Sequence, residues 1–552
     1  MNLMISSRFL FFFISLVLSQ DTSFKESYES LLDPSSSNHA TTNITNIVRN
    51  QPLYLSTDEI GELSKFGLEY YNGSLKALRP NNLDESYVTE HFKFHYTLDG
   101  NDAVTNIEYV HSMGEIFEQV WNFFIDTLEY DPPHEIDPQN QKLYDIYIER
   151  LPSYYFGITY VENYGESNNS CTSFIKMRNN YSGSPFKNKT EIENIKVTAV
   201  HEFFHSIQFG YNCNEELWFM EATAVWSEDE LYDEINDLYR YIPSWFSNPQ
   251  KSLSEESSHM YGSFIFFQYI DEHLGGRNTI KKCWENSRSL GNNQINNPIV
   301  AIDNALKVQN SSFEEAHNRM RISNIIMTNN LGLDYYNYEE ANNYIELIGD
   351  QSIETIVFEK GSLNYFQSSS SNPISCSYYQ ITTETPIMIE FQSSNEFLKL
   401  ITIVKLKDEE SWNIIDQKSV NIDPNINIEW IKLLVPRGND IENNSEYLIS
   451  IKDGRIEDFT FYPPFPNPSS TSDIFFKIQI IKSQDFNLKI YDLLGRQVLN
   501  EKFKSAGGEI KKINWNKQNN IGRKVSNGVY FIELKGENQI ITHKVISLNY
   551  KD

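Results

Sequence analysis

Residues 197–211 read VTAVHEFFHSIQFGY, a run apolar at most positions that carries His201 and His205 four residues apart and Glu202 beside the first. Four residues advance an α-helix by about 400°, so the two histidines leave one face one turn apart and can place two imidazole nitrogens on a single ion. A carboxylate at Glu202 can then exchange a proton with water at the metal. Neutral imidazoles suit zinc, Zn2+. The competing reading is a core helix whose histidines are satisfied by neighbours. With 11 histidines in 552 residues, HExxH is expected by accident in roughly one or two per cent of such chains, so accident is the weaker explanation.

A catalytic zinc needs a third protein ligand and an open position. A later histidine on the same stretch does not supply it: Gln208 and Tyr211 stand where that arrangement wants glycine and histidine. The other solution is a carboxylate from a second, antiparallel helix. Glu221 lies sixteen residues after His205, in LWFMEATAVW, between Trp218, Phe219 and Met220 on one side and Ala222 and Ala224 on the other. An acid buried in so apolar a helix costs several kcal/mol unless it is paired, and a metal removes that cost. A salt bridge or an exposed position is the alternative, since Glu215, Glu216 and Glu228 show that acids are common nearby. Gly210 is expected to end the first helix, with a turn over Asn212 to Glu215. Glu228, two turns after Glu221 on nearly the same face, is a candidate to support a ligand from behind.

Outward from this helix pair, HFKFHYTL, KLYDIYIERL, FGITYVEN and CTSFIKMRN have strand patterning, and YVHSMGEIFEQVWNFFIDTL has helical spacing. Helices are expected over ELWFMEATAVWSEDELYDEINDLYRYI and SHMYGSFIFFQYIDEHLG. This predicts an α+β fold over residues 83–335, a mixed sheet plus a helical subdomain. Short β-rich runs separated by Ser, Asn, Pro and Asp turns predict an all-β sandwich at 340–458, and five short strands after the proline-rich FYPPFPNPSS predict a second at 461–552. Residues 20–82 hold the Ser/Asn/Thr-rich DPSSSNHATTNITN and a polar helix-like stretch from Ser56 to Tyr71, a leader or propeptide-like region with little core of its own.

The first 19 residues, with Arg8 before an apolar run from Phe9 to Leu18, read as a secretory signal peptide cut after Ser19. That run is about half the ~20 residues of a spanning helix, and no transmembrane segment is expected after its removal. A net charge of −29 disfavours nucleic acid as a partner. From Phe461 onward, 14 basic against 8 acidic residues make the tail +6 and leave −35 on the rest, which marks the tail as a separate module. Cys171, Cys213, Cys283 and Cys376 form no CxxC pair. In an exported protein they allow two disulfides in three connectivities, or stay as buried thiols.

VTAVHEFFHSIQFGY followed by LWFMEATAVWSED resembles a group of secreted bacterial metalloproteases of the gluzincin type, which share an HE-aromatic-aromatic-H-x-IQFGY block and a WFxE-x-TAxWxED helix. The resemblance runs from RPNNLDESYVTEHFKFHYTLDG through SHMYGSFIFFQYI, about residues 79–290. It implies a zincin-like metallopeptidase domain with zinc ligands His201, His205 and Glu221 and Glu202 as catalytic base. The aspartate that thermolysin-like relatives carry four residues past the third ligand is absent, because Val225 stands there. In the tail, PNPSS, LKIYDLLGRQVLNEKF, INWNKQNNIGRKVSNGVYFIELK and HKVISL resemble, in order, the C-terminal sorting domain of type IX secretion. This implies export across the outer membrane, the secretion machinery as partner, and release or anchoring at the cell surface.

The expected activity is a secreted zinc-dependent endopeptidase acting on a protein or peptide substrate by Glu-assisted attack of zinc-bound water. His259 and Tyr261, in SHMYGS, are candidate donors to the developing oxyanion. The alternative is a cell-surface adhesin or glycan-binding protein that keeps the zincin domain as a scaffold. A scaffold has no need of Glu202.

Overall fold

The structure is a computed structural model that describes residues 23–548 apart from 34–39, 53, 135–141, 153–154, 165–168, 184–185, 291–296, 331–334, 349–352, 363–364, 408–411, 425–427, 440–444, 456–457 and 470–472. The expected signal peptide lies outside the described residues. Two compact units form, Met1–Tyr241 with Ser254–Asn310 and Ile242–Leu253 with Ser311–Asp552.

The first unit begins with helices α1 (23–32), α2 (Thr41–Arg49) and α3 (Thr57–Ser64). A capping box at Ser56 and Glu59 starts α3. The helix expected to reach Tyr71 stops at Ser64 instead, and β1 (Leu68–Tyr71) and β2 (Ser74–Ala77) pair as a hairpin. Its two-residue turn is Asn72-Gly73, both at positive φ, the conformation that matches the twist of the strands. Turn chemistry thus overrides the helical pattern here.

Five strands follow: β3 (Glu85–Val88), β4 (Phe92–Tyr96), β5 (Tyr144–Glu149), β6 (Gly157–Tyr164) and β7 (Cys171–Arg178), in the sheet order β3-β4-β5-β7-β6. The central β4, β5 and β7 run parallel, while β3 and β6 are antiparallel edge strands. Strand β4 alternates buried Phe92, Phe94 and Tyr96 with half-buried positions. Helix α4 (Ile107–Trp121) and a π-helical turn over Asn122–Thr127 match the expected helix between β4 and β5.

Helices α5 (Glu191–Asn212) and α6 (Leu217–Tyr232) come next. Gly210 lies inside α5, which continues to Asn212 and leaves only a short turn before α6. The helix expected to run on to Ile242 stops at Tyr232, and a 3-10 turn over Asp233–Ile235 leads to Asn236, which is left-handed at φ 53°. After α7 (Ile242–Ser247), part of the second unit, the first unit closes with α8 (His259–Gly262), α9 (Phe264–His273), α10 (Arg277–Leu290) and α11 (Pro298–Val308). Cys171 is bonded to Cys213, tying the start of β7 to the end of α5. Closing a loop of 42 residues contributes about 4 kcal/mol in the chain-entropy account. Cys283 and Cys376 are buried thiols.

The second unit carries α12 (Phe313–Ile326) and α13 (Ala341–Ile348) and is otherwise β. Strands between Glu354 and Asp453 form a five-stranded and a four-stranded sheet. One core lies between them, with Tyr379, Val404, Ile431 and Leu433 from the first sheet and Ile387, Ile389, Ile449 and Ile451 from the second. Between Phe459 and Ser547 a three-stranded and a four-stranded sheet share a core of Phe476, Ile478, Leu488, Ile490, Trp515 and Ile532. The architecture is therefore mixed α and β with several sheets and a helical region, as expected for α+β. Among the described residues no helix is long and apolar enough to cross a membrane.

Candidate metal centre

Helix α5 starts at a capping box made by Thr190 and Glu193. It is buried along nearly its whole length because both sides meet aromatic residues. Phe203 packs edge-on against Phe92 at 5.3 Å, and Phe204 lies 5.1 Å from Phe124 and 5.5 Å from Tyr130. Each such fully buried ring contributes roughly 1.5–3 kcal/mol, which holds the flanking His201, Glu202 and His205 in fixed positions. On the sheet side Gly157 of β6 permits close approach: a Cβ there would meet Thr198 Cγ2 at 2.7 Å and Glu202 Cγ at 2.8 Å.

His201, Glu202, His205 and Glu221 are all fully buried. His201 Nε2 and His205 Nε2 stand 3.1 Å apart. Glu221 Oε2 lies 3.1 Å from His201 Nε2 and 3.7 Å from His205 Nε2, and makes no hydrogen bond. The opposite edge of each imidazole is held by an acceptor, His201 Nδ1 at 2.7 Å from Glu228 Oε1 and His205 Nδ1 at 2.8 Å from Gln208 Oε1. Gln208 can only accept there, because its amide nitrogen donates to Met220 O at 2.9 Å and Thr223 Oγ1 at 3.0 Å. Each Nδ1 therefore carries the proton in the neutral tautomer, and each Nε2 presents a lone pair.

Three acceptors thus converge with nothing to donate among them, an arrangement that repels itself unless a cation sits at the centre. Zinc bonds of 2.0–2.1 Å in tetrahedral geometry place ligand atoms roughly 3.3 Å apart, close to the spacing found. The residues present fit a zinc ion. Without a metal only a proton can serve. Burial pushes the His201 imidazole down, Glu221 and Glu228 push it up, and the net effect is a rise to about 10. Burial raises the Glu221 carboxyl, but His205 and His201 hold it well below the usual carboxylate range. The electrostatics of the site select positive charge.

Glu202 does not join the cluster. Its Oε2 accepts from Thr159 Oγ1 at 2.7 Å and from Thr41 Oγ1 at 2.8 Å, while Thr42 Oγ1 donates to Glu221 Oε1 at 2.7 Å. His259 and Tyr261 are buried on α8, and the Tyr261 ring stacks on Tyr241 at 5.3 Å. His259 is not part of the cluster of His201, His205 and Glu221. Four participants had no sequence signal as such: Gln208 looked like a failed extension of the motif, and Thr41, Thr42 and Thr159 are ordinary threonines until folding brings them to the carboxylates.

Residues 101–385 match a family of unknown function, DUF6055, and residues 464–548 match a secretion-system C-terminal sorting domain. His201, Glu202, His205 and Glu221 fall within the first match. No curated protein matches. Among solved structures, PorZ, a surface component of the type IX secretion system of Porphyromonas gingivalis, is 16% identical over 21% of this chain and 14% of its own, at TM-score 0.13. Dimeric latent PorU from Porphyromonas gingivalis is 16% identical over 31% of this chain and 19% of its own, at TM-score 0.18. PliG of Salmonella Typhimurium, a periplasmic inhibitor of g-type lysozyme, is 15% identical over 18% of this chain and 96% of its own, at TM-score 0.14. The chain spans under a fifth of the two Porphyromonas proteins, and scores this low carry no argument about fold. The sorting domain marks a protein that the type IX machinery exports, to be released or held at the cell surface.

Proposed function

We infer the function of this chain, which belongs to the family of unknown function DUF6055, from its buried site: a secreted zinc-dependent hydrolase of peptide bonds. The observation that carries the reading is the convergence of two imidazole Nε2 atoms and a fully buried Glu221 Oε2 that has no hydrogen-bond donor. A mixed sheet whose edge strand β6 lies against the histidine helix supports a zincin-like reading of the first unit.

His201, His205 and Glu221 would hold the ion. Bound there, zinc supplies a Lewis acid and lowers the pKa of a water toward neutrality. Glu202, fixed by the Thr159 hydroxyl beside the ligands, takes a proton at its carboxylate and returns it to the departing amine. Glu228 and Gln208 hold the two Nδ1 protons, fix the ring orientations and make the Nε2 atoms better donors to a metal. His259 and Tyr261 are the proposed donors to the developing oxyanion.

The test is the Glu202→Ala protein beside the unaltered one, assayed for zinc per chain and for chelator-sensitive hydrolysis of casein, before and after limited proteolysis. One zinc should remain in both, while hydrolysis falls by roughly 10²–10⁴-fold. Equal turnover in the two proteins would refute the role of Glu202, and an unloaded site in both would refute the zinc reading.

A further inference from the structure

A hydrolase must admit its substrate, yet His201, Glu202, His205 and Glu221 are all sealed from solvent. The element that closes the site is α2, from the region expected to have little core of its own. Its sequence, TTNITNIVR, is polar, but Thr41 through Ile47 are all buried. Thr41 Oγ1 donates to Glu202 Oε2 and accepts from the Thr159 backbone N–H at 2.8 Å. Thr42 Oγ1 donates to Glu221 Oε1. One turn of α2 therefore occupies the catalytic carboxylate, a ligand carboxylate and a backbone donor of edge strand β6. An unpaired N–H on a sheet edge is where an extended peptide pairs when it adds as a strand. The positive end of the α2 dipole also faces these acids.

Helices α1 and α2 are anchored rather than draped. Arg49 donates to the carbonyls of Cys213 and Glu215, and Asn46 Nδ2 donates to Ser27 Oγ at 2.8 Å. Phe24, Leu31, Ile44 and Ile47 share a core with Tyr155, Ile158, Tyr160 and Phe174. Residues 23–49 nonetheless lie outside the family match, which begins at residue 101 and contains His201, Glu202, His205 and Glu221. They reach α3 through a short linker in which Tyr54 is 88% exposed.

We propose that helices α1 and α2 form an inhibitory element that keeps a loaded site latent until the chain is cut between Asn50 and Ser56. The cut is hydrolysis of one peptide bond, in which water gives its hydroxyl to the new carboxyl end and its hydrogen to the new amine. Thr42 holds Glu221 Oε1 and leaves Oε2 for the ion, so the segment blocks access without displacing the metal. This rests on the zinc hydrolase reading for its consequence, but its geometry can be tested without it.

The experiment uses the full chain with a specific protease site placed in the 50–56 linker, cut after folding, and with the fragment separated and its removal verified by mass. Three readouts are compared: hydrogen exchange of the Thr159 amide, extraction of loaded zinc by a chromophoric chelator, and casein hydrolysis. Cutting should accelerate Thr159 exchange and zinc extraction at least tenfold and switch hydrolysis on, and a synthetic 23–49 peptide should reverse all three. Thr159 exchange that is the same with the segment present or removed would overturn the proposal. Faster exchange without stoichiometric zinc, or with zinc but no hydrolysis, sustains the lid and sinks the zinc or the peptidase reading instead.

Discussion

Two buried histidines on two buried helices show how little the residue type decides. His201 on α5 and His317 on α12 are both fully buried, and each has a polar partner four residues on, His205 and Arg321 respectively. Around His201 stand Glu221 and Glu228, and its imidazole is raised to about 10 despite burial. Around His317, burial and the Arg321 guanidinium both act downward, holding the imidazole well below its ordinary value. Arg321 Nε donates to His317 Nε2 at 3.2 Å and its guanidinium lies over the Trp245 ring at 4.7 Å. The first histidine is built to face a positive charge and the second to stay neutral beside one. The acids brought from α6, not the histidine, turn the surroundings of His201 toward positive charge.

The largest effect expected from breaking this contrast comes from Glu221. Glu221→Ala removes the converging carboxylate, and zinc affinity, read by chelator competition, should fall by more than the roughly 10–100-fold typical of losing an outer partner. Unchanged affinity would return α5 to the status of an ordinary core helix. Glu228→Gln keeps an acceptor for His201 Nδ1 but deletes the charge, so a loss within that 10–100-fold range is expected, with the zinc stoichiometry preserved at saturation.

The smallest effect belongs to His317. A folded-state imidazole held below its unfolded value contributes stability that is complete above about pH 6.5 and is lost as the pH falls toward the folded value. Melting of the second unit, followed between about pH 7.5 and 5.5, should therefore drop on the acid side, by at most about 1.4 kcal/mol per pH unit for this group. His317→Gln should flatten that slope and leave zinc content untouched. Part of the slope remains with His543, also lowered by burial in the same unit, against the opposing hydrogen bond from its Nε2 to Phe461 O. A slope identical in the variant removes His317 from the account.

Patterns were legible where spacing alone carried them. Strands β4, β5, β6 and β7, helices α4 and α5, and the β-rich runs after residue 354 stand close to where alternation and helical periodicity put them. The pattern failed where local turn chemistry competed, at the Asn72-Gly73 hairpin and at Asn236, since a left-handed residue ends an element whatever the hydrophobic spacing says. It also failed at Gly210, which the aromatic packing of α5 keeps inside the helix.

In the site, HExxH and the isolated acid in WFMEATA were readable because four-residue spacing and the cost of burying a charge are local facts. The sequence alone settled the donor types, the one-turn separation of His201 and His205, the strongly acidic balance and the address carried by the tail. Only the tertiary structure decided that Glu228 and Gln208 take the two Nδ1 protons, that Cys171 pairs with Cys213, and that Thr41 and Thr42 bond Glu202 and Glu221. Those threonines lie 161 and 179 residues from the acids they meet. A hydroxyl that finds its carboxylate across such a distance does so because the core beneath α2 brings them together, and no local pattern records it.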